Sequence, residues 1–243
     1  MNWFGVTGEA LAETLGLPQV AAYARVASSM DAAHELAAAG ASAGTLVLAE
    51  EQTVGRGRGG RSWSSAPGRG IWMTLIERPR TTSGLDVLSI RVGLRLAPVL
   101  DRWTNGAVQL KWPNDLYVDG RKLAGVLIEA RWRGERAEWV AIGVGVNLVP
   151  PVEMPEAAGL DGADAHAVLA ELVPALRAAA FAEGALTPAE LVAFSARDYA
   201  AGRRLHEPYE GTARGISSAG ELLVETANGI MLVRAGSLVL AAN

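Results

Sequence analysis

Residues 107–148 constrain the fold more than any other part of the chain, because short apolar stretches alternate there with tight-turn signals. Asp119-Gly120 is typical of a type I′ turn and joins two of these stretches as a β-hairpin. The predicted strands are 108–112, 116–118, 123–132 and 139–148. Together they predict a β-sheet in the middle of the chain.

Helical patterns precede and follow these strands. Ser28 with Asp31, and Ser83 with Asp86, have the spacing of a capping box, and Asp164 is a further candidate N-cap. The predicted helices are 8–16, 28–39, one that follows Ser83 with Pro98 as its kink or boundary, 165–182 and 188–201. Two more strands are predicted at 45–49 and 71–76.

The end of the chain differs in character, because short strand-like runs are separated there by glycines. This pattern predicts a small five-stranded barrel at residues 201–243, appended to a larger domain at residues 1–200.

Composition excludes several classes of protein. The 243 residues include no cysteine, so disulfide scaffolds, thiol nucleophiles and cysteine zinc sites are ruled out. No apolar run is long enough to span a membrane, and the first residues do not resemble a secretory leader. The expectation is a cytoplasmic protein without a membrane partner.

A glycine- and arginine-rich segment at residues 52–70 is the strongest local signal for function. It holds four arginines (Arg56, Arg58, Arg61 and Arg69) and no acidic residue, although the whole chain carries a net charge of -4. Glycines free the backbone to wrap a ligand, and arginine suits carboxylate or phosphate oxygens. The alternative to a ligand-binding role for this segment is a solvated basic loop on the surface. The Gly-x-Gly-x-x-Gly spacing does not indicate a dinucleotide fold, because no helix can begin at its last glycine.

Two further clusters carry polar groups at strand ends. Only two of the 22 basic residues are lysines, and both Lys111 and Lys122 lie in one of these clusters. Pro113 ends a strand, so Asn114 and Asp115 are expected to project from it. The other cluster is Gly-x-Gly-x-Asn at residues 143–147, where glycines permit close approach of a ligand. Taken alone, this run favours a bulged strand that ends in a turn asparagine over a ligand site.

These motifs together resemble the biotin–protein ligases. The resemblance covers about residues 25–243, and it rests on Gly-Arg-Gly-Arg-Gly-Gly-Arg-Ser-Trp at 55–63, Lys-Trp-Pro-Asn-Asp at 111–115, Arg-Lys-Leu-Ala-Gly at 121–125 and the 143–147 run. It implies an α+β fold, with a mixed β-sheet flanked by helices as in class II synthetases and a small C-terminal SH3-like barrel. It also implies an ATP-dependent enzyme that makes biotinyl-5′-AMP and transfers biotin to a lysine of a biotin carboxyl carrier protein, such as that of acetyl-CoA carboxylase.

The same resemblance implies roles for individual residues. Biotin would be bound by Ser29, Met30, Asp31, Gln52, Arg56, Gly57, Arg58, Lys122 and Gly125. ATP or the adenylate would be bound by Arg58, Trp63, Lys111, Asn114, Lys122 and Asn147, with Trp63 stacked on adenine and Asn147 against its edge. Catalysis would depend on Arg58, Lys122, Lys111 and Asp115, and Asp115 would help to place Mg²⁺ or the acceptor lysine.

Two departures from the family pattern are visible. Ser29-Met30-Asp31 stands where the family often has Ser-Thr-Asn, which removes one hydroxyl from the biotin pocket. Too few residues precede Ser28 for a winged-helix domain, so no DNA partner is expected. The oligomeric state stays open between monomer and homodimer. The alternative functions are lipoate ligation or octanoyl transfer on the same fold, or a nucleic-acid-binding module that uses the basic loop.

Overall fold

The computed structural model describes residues 2–160 and 162–241. Its strands are β1 (Asn2–Trp3), β2 (Val6–Thr7), β3 (Val20–Val26), β4 (Thr45–Gln52), β5 (Gly70–Glu77), β6 (Gln109–Lys111), β7 (Asp115–Val118), β8 (Arg121–Arg133), β9 (Arg136–Asn147), β10 (Arg204–Glu207), β11 (Gly211–Ile216), β12 (Leu222–Thr226), β13 (Gly229–Val233) and β14 (Val239–Leu240). Its helices are α1 (Gly8–Leu15), α2 (Ser29–Ala38), α3 (Leu88–Leu100), α4 (Ala165–Ala180) and α5 (Pro188–Arg197). None of the helices in this part of the chain is long and apolar enough to cross a membrane.

A seven-stranded mixed sheet forms the centre of the molecule, in the order β3-β4-β5-β9-β8-β7-β6. The β3–β4 pair is parallel and all other neighbours are antiparallel. The hairpin predicted at Asp119-Gly120 is confirmed, and both residues have the positive φ that a type I′ turn requires. A second sheet, in the order β13-β12-β11-β10-β14, supplies the five C-terminal strands that were predicted.

Helices cover both faces of the central sheet. Along β4, Val47 packs with Ala33 of α2 and with Trp139, whereas Leu46 and Leu48 belong to the larger core on the opposite face, with α3 and α4. This alternation follows from the two-residue period of a strand. Because every residue of β5 is buried, the α+β fold class with a helix-flanked mixed sheet is confirmed.

Three local predictions were wrong or incomplete. Strand β3 was missed, because only Val20 and Ala22 of its apolar face are buried and it is an edge strand. The second capping box does not form, since Gly84 and a 3-10 turn at Leu85–Val87 precede α3 and no side chain caps it. Helix α5 ends at Arg197 rather than near residue 201, because the next residues pair with Leu110.

Other helix boundaries agree with the sequence. Ser28 caps α2 through a hydrogen bond from the Met30 amide to Ser28 Oγ, although the Asp31 half of the predicted box does not form. Asp164 caps α4 by accepting a hydrogen bond from the Ala167 amide. Pro98 lies within α3, which continues to Leu100.

Candidate functional site

A cavity over the inner strands β5, β9 and β8 of the central sheet brings the predicted motifs together. It has a volume of about 320 Å³ and is walled by the 55–64 loop, the N-terminus of α2, the β6–β7 turn and the glycines of β8 and β9. The predicted residues that line it are Ser29, Met30, Gln52, Arg56, Gly57, Arg58, Trp63, Lys111, Asn114, Asp115, Lys122, Gly125 and Asn147. Asp31 is not among the lining residues.

Strand glycines make the floor of this cavity flat. A Cβ atom added at Gly143 would lie 2.7 Å from Met30 Cε, and one added at Gly145 would lie 2.7 Å from Trp63 Cε2. The side chains of Met30 and Trp63 therefore pack against the same strand, β9, at Gly143 and Gly145. Met30 is buried, and its terminal methyl lies against Gly143.

Polar groups near Met30 form a connected set. The Ser29 amide donates to Gln52 Oε1 at 2.8 Å, and Gln52 Nε2 donates to Ser65 Oγ at 2.8 Å. The hydroxyls of Ser29 and Thr74 are 2.9 Å apart. Sequence reasoning missed Thr74, although it is the one polar residue in the apolar run of β5. That interruption was the signal that could have found it.

Arg56 ties the glycine-rich loop to the sheet and to α2. Its guanidinium donates to Asp31 Oδ1 and to Glu129 Oε1, both at 2.6 Å. Glu129 Oε2 also lies 3.0 Å from His34 Nε2, and Trp139 donates its indole N–H to His34 Nδ1 at 2.9 Å. Asp31 is thus an anchor for the loop in this structure rather than a cavity residue.

Positive charge gathers around Trp63. Lys122 Nζ lies 2.8 Å from Asp115 Oδ1 and 5.0 Å from the centre of the Trp63 ring. Arg58 donates to Asn114 Oδ1 at 3.1 Å, and burial lowers the pKa of its guanidinium. The Trp63 Nε1 atom is buried and makes no hydrogen bond to the described residues.

Lys111 adds a third cation to the cavity wall. Its Nζ lies 3.5 Å from the Tyr117 hydroxyl, and burial lowers the pKa of the Lys111 ammonium while the nearby Asp115 raises it. Burial and the neighbouring Asp115 raise the pKa of Tyr117 to about 12, so its hydroxyl stays protonated near neutral pH. Tyr117 also lines the cavity and was not predicted.

The side chain of Asn147, which was predicted to bind the edge of adenine, contacts the main chain in this structure. It is buried, and its Nδ2 donates to the carbonyl oxygens of Ala158 at 3.1 Å and Lys122 at 3.4 Å. Both amide hydrogens are therefore engaged with the main chain, which leaves Oδ1 as the polar atom that could meet a ligand.

The carboxylates do not form a metal site by themselves. Within residues 2–160 and 162–241, no three His, Asp or Glu side chains are grouped so that they could hold a metal ion. Asp115, the predicted Mg²⁺ ligand, is paired with Lys122. Mg²⁺ commonly keeps several waters and takes one or two carboxylates together with substrate phosphates, so a protein-built cage is not required for it.

Three of the four arginines of the basic loop are engaged by other groups of the described chain, whereas Arg61 is exposed. Arg56 is paired with acids, Arg58 with Asn114, and Arg69 donates to the Pro150 carbonyl oxygen at 2.7 Å. A nucleic-acid surface would need such side chains to be available to phosphates, so the geometry favours the enclosed cavity as the functional site.

Comparison with known proteins settles the family. Residues 23–147 match the model of the biotin/lipoate A/B protein ligase family, and residues 201–240 match that of the biotin protein ligase C-terminal domain. The chain belongs to the biotin/lipoate A/B protein ligase family. The predicted enzyme class, biotin–protein ligase, is thereby confirmed.

Relatives and solved structures agree with this assignment. The ligase is 32% identical over 237 residues to the bifunctional ligase/repressor BirA of Bacillus subtilis, covering 88% of this chain and 72% of that protein. It is 38% identical over 156 residues to the biotin–[acetyl-CoA-carboxylase] ligase of Paracoccus denitrificans, covering 60% of this chain and 64% of that protein. A structure of the Aquifex aeolicus biotin protein ligase with biotin and ATP superimposes with a TM-score of 0.77 at 25% identity, covering 92% and 99% of the two chains.

Proposed function

We propose that this ligase activates biotin with ATP as biotinyl-5′-AMP and then transfers the biotinyl group to a lysine of a biotin carboxyl carrier protein. The observation that carries the proposal is one cavity in which an apolar floor under Met30 continues into a region lined by Arg58, Lys111 and Lys122. Such a cavity suits a ligand with an apolar body and a carboxylate that must meet a phosphate.

The first step joins two anions. A carboxylate oxygen of biotin attacks the α-phosphorus of ATP, the bond to the β-phosphate oxygen breaks, and pyrophosphate leaves. We assign Arg58 and Lys122 to the carboxylate and the α-phosphate, because fixed positive donors lower the barrier between two negative reactants. Asp115, 2.8 Å from Lys122, holds that ammonium in place.

The second step consumes biotinyl-5′-AMP, which is a mixed anhydride of a carboxylate and a phosphate. The neutral amine of the acceptor lysine attacks the biotinyl carbonyl carbon, an amide forms as AMP leaves, and the proton of the attacking amine passes to solvent. Trp63 and Oδ1 of Asn147 are assigned to the adenine, and Ser29, Gln52 and the 56–58 backbone to biotin. We infer that Mg²⁺ enters with the phosphates of ATP.

The test is incubation of the protein with ATP, Mg²⁺, biotin and a carrier-domain fragment, followed by intact-mass measurement. The expected result is a single biotinyl mass increment on the carrier, absent when its acceptor lysine is replaced by arginine. Lipoate in place of biotin gives no product if the proposal holds. An unmodified carrier under all conditions, or modification by lipoate alone, would overturn it.

A further inference from the structure

Two tyrosine rings from distant parts of the chain hold the Lys111 ammonium. Lys111 Nζ lies 5.2 Å from the centre of the Tyr117 ring and 6.0 Å from that of Tyr199. The two rings are 4.7 Å apart with an interplanar angle of 35°, so they pack as one aromatic unit. Tyr117 lies on β7 within the central sheet, whereas Tyr199 follows α5 at the start of the C-terminal strands.

The position of Tyr199 is tied directly to the strand that carries Lys111. The Tyr199 amide donates to the Leu110 carbonyl oxygen at 3.0 Å, and Asp198 forms a parallel bridge with Leu110. Arg203 lies over the Tyr199 ring at 4.9 Å. The backbone contact is one residue from Lys111, so it fixes Tyr199 against the strand that carries the lysine.

Lys111 has no carboxylate of its own among residues 2–160 and 162–241, where it forms no ion pair within 4.0 Å. Asp115, the acid that raises the pKa of Lys111, is engaged with Lys122. A lysine ammonium has three N–H donors, and the hydroxyl of Tyr117 at 3.5 Å accepts from only one of them. Ring faces attract a cation through their quadrupole and leave its other N–H donors unused.

We propose that Tyr199 is a positioning residue of the ligase, which together with Tyr117 holds Lys111 charged at the cavity wall with N–H donors available for the phosphates of ATP. The inference rests on the proposed function, because it deepens the nucleotide side of that site. Tyr199 acts through Lys111, since Lys111 and Tyr117 line the cavity and Tyr199 lies behind them. The ring is the part that matters, so phenylalanine is expected to replace it and leucine is not.

The experiment compares Tyr199→Leu, Tyr199→Phe and the matched control Tyr209→Leu, an exposed tyrosine of the C-terminal strands. KM and kcat are measured for ATP and for biotin by pyrophosphate release, and binding of a non-hydrolysable ATP analogue is measured without biotin by calorimetry. Tyr199→Leu is expected to raise the KM for ATP and the dissociation constant of the analogue by roughly three- to ten-fold. Tyr199→Phe and Tyr209→Leu should resemble the unaltered protein, and the KM for biotin should change in none of them.

Three results would overturn the inference: unchanged nucleotide binding in Tyr199→Leu, equal impairment by leucine and phenylalanine, or equal weakening of biotin and ATP. The last would show that Tyr199 supports only the fold. If the unaltered protein binds the analogue but ligates no biotin, the proposed function fails while the leucine–phenylalanine comparison still decides the inference. If the unaltered protein does not bind the analogue, both fail.

Discussion

Trp139 donates its indole N–H to Nδ1 of His34 across 2.9 Å, and this contact determines what the histidine can do on its other side. An indole N–H only donates, so neutral His34 accepts at Nδ1 and carries its hydrogen on Nε2. That hydrogen points to Glu129 Oε2, 3.0 Å away, while the other oxygen of Glu129 accepts from Arg56. A buried indole on β9 therefore orients the carboxylate that anchors the glycine-rich loop.

Glu129→Gln tests this anchor. It keeps the side-chain size but removes the charge that holds Arg56, so residues 55–64 should exchange amide hydrogens faster and the KM for biotin should rise a few-fold. The effect is modest because both side chains are partly exposed. Glu138→Gln on β9, which removes the ion pair of a similarly covered glutamate with the exposed Arg133, is the control. If residues 55–64 exchange their amide hydrogens at the same rate in Glu129→Gln and Glu138→Gln, the role given to Glu129 is contradicted.

Trp63→Ala tests the adenine platform. Base–aromatic stacking is worth roughly 1–3 kcal/mol, so the KM for ATP should rise at least several-fold while biotin binding without nucleotide changes little. The Trp63 ring also packs on Gly145, and its centre lies 6.3 Å from the centre of the Trp72 ring. If both ligands weaken equally in steady-state and binding measurements, Trp63 supports the loop rather than the adenine.

Lys122→Ala should abolish most adenylate formation. The loss removes the cation that would offset the carboxylate and the α-phosphate, and it leaves Asp115 as an unneutralised negative charge at 2.8 Å from the former ammonium. Pyrophosphate release at saturating biotin should fall by roughly 100-fold or more. Lys122→Arg should rescue it poorly, because a planar fork does not replace a compact charge. The exposed neighbour Arg121→Ala is the control, and near-normal rates for Lys122→Ala would exclude the assignment.

Alkaline pH should weaken ATP binding through Lys111. Burial lowers the pKa of this ammonium from the ordinary value of 10.5, and the nearby Asp115 offsets part of that effect. Lys111 therefore loses its charge at a lower pH than a free lysine does. The KM for ATP should accordingly begin to rise with increasing pH before the pH reaches 10.5. Lys111→Arg stays charged throughout, so its KM should lose this alkaline rise whatever its absolute level. The same profile in both proteins would assign the pH dependence to another group.

Arg58→Gly should loosen the loop around a formed adenylate. Arg58 is half-buried and reaches Asn114 at 3.1 Å, which ties the loop to the β6–β7 turn. The variant is expected to release biotinyl-5′-AMP, seen as labelling of lysines on a bystander protein. Biotin with ATP should slow amide exchange over residues 52–70 in the unaltered ligase, because a lid excludes water from the anhydride. Equal exchange with and without ligands, and no bystander labelling, would show that the loop is not the lid.

Several elements followed directly from local sequence. Asp119-Gly120 requires two residues with positive φ, so the hairpin of β7 and β8 could be located without any tertiary information. Pro188 predicts the start of α5, and the structure adds Thr187 as its N-cap, with a full capping box completed by Glu190. The glycine and lysine motifs also pointed to residues that line the cavity, although Gly125 and Gly143 lie inside strands β8 and β9 rather than at strand ends or in loops.

Only the tertiary structure determined which side chains of the site contact each other. Asp31, next to two cavity residues in the chain, turns to Arg56 because the loop folds back over α2. Glu129 and His34 are separated by 95 residues, and Lys111 and Tyr199 by more than eighty, so no local period relates them. The sequence by itself determined the β7–β8 hairpin, most of the strands of the central sheet and the family, since these depend on neighbours along the chain, but it did not reveal the edge strand β3. The anchoring of the loop and the aromatic support of Lys111 depend on pairing across the sheet and on where α5 ends, which only the packed chain defines.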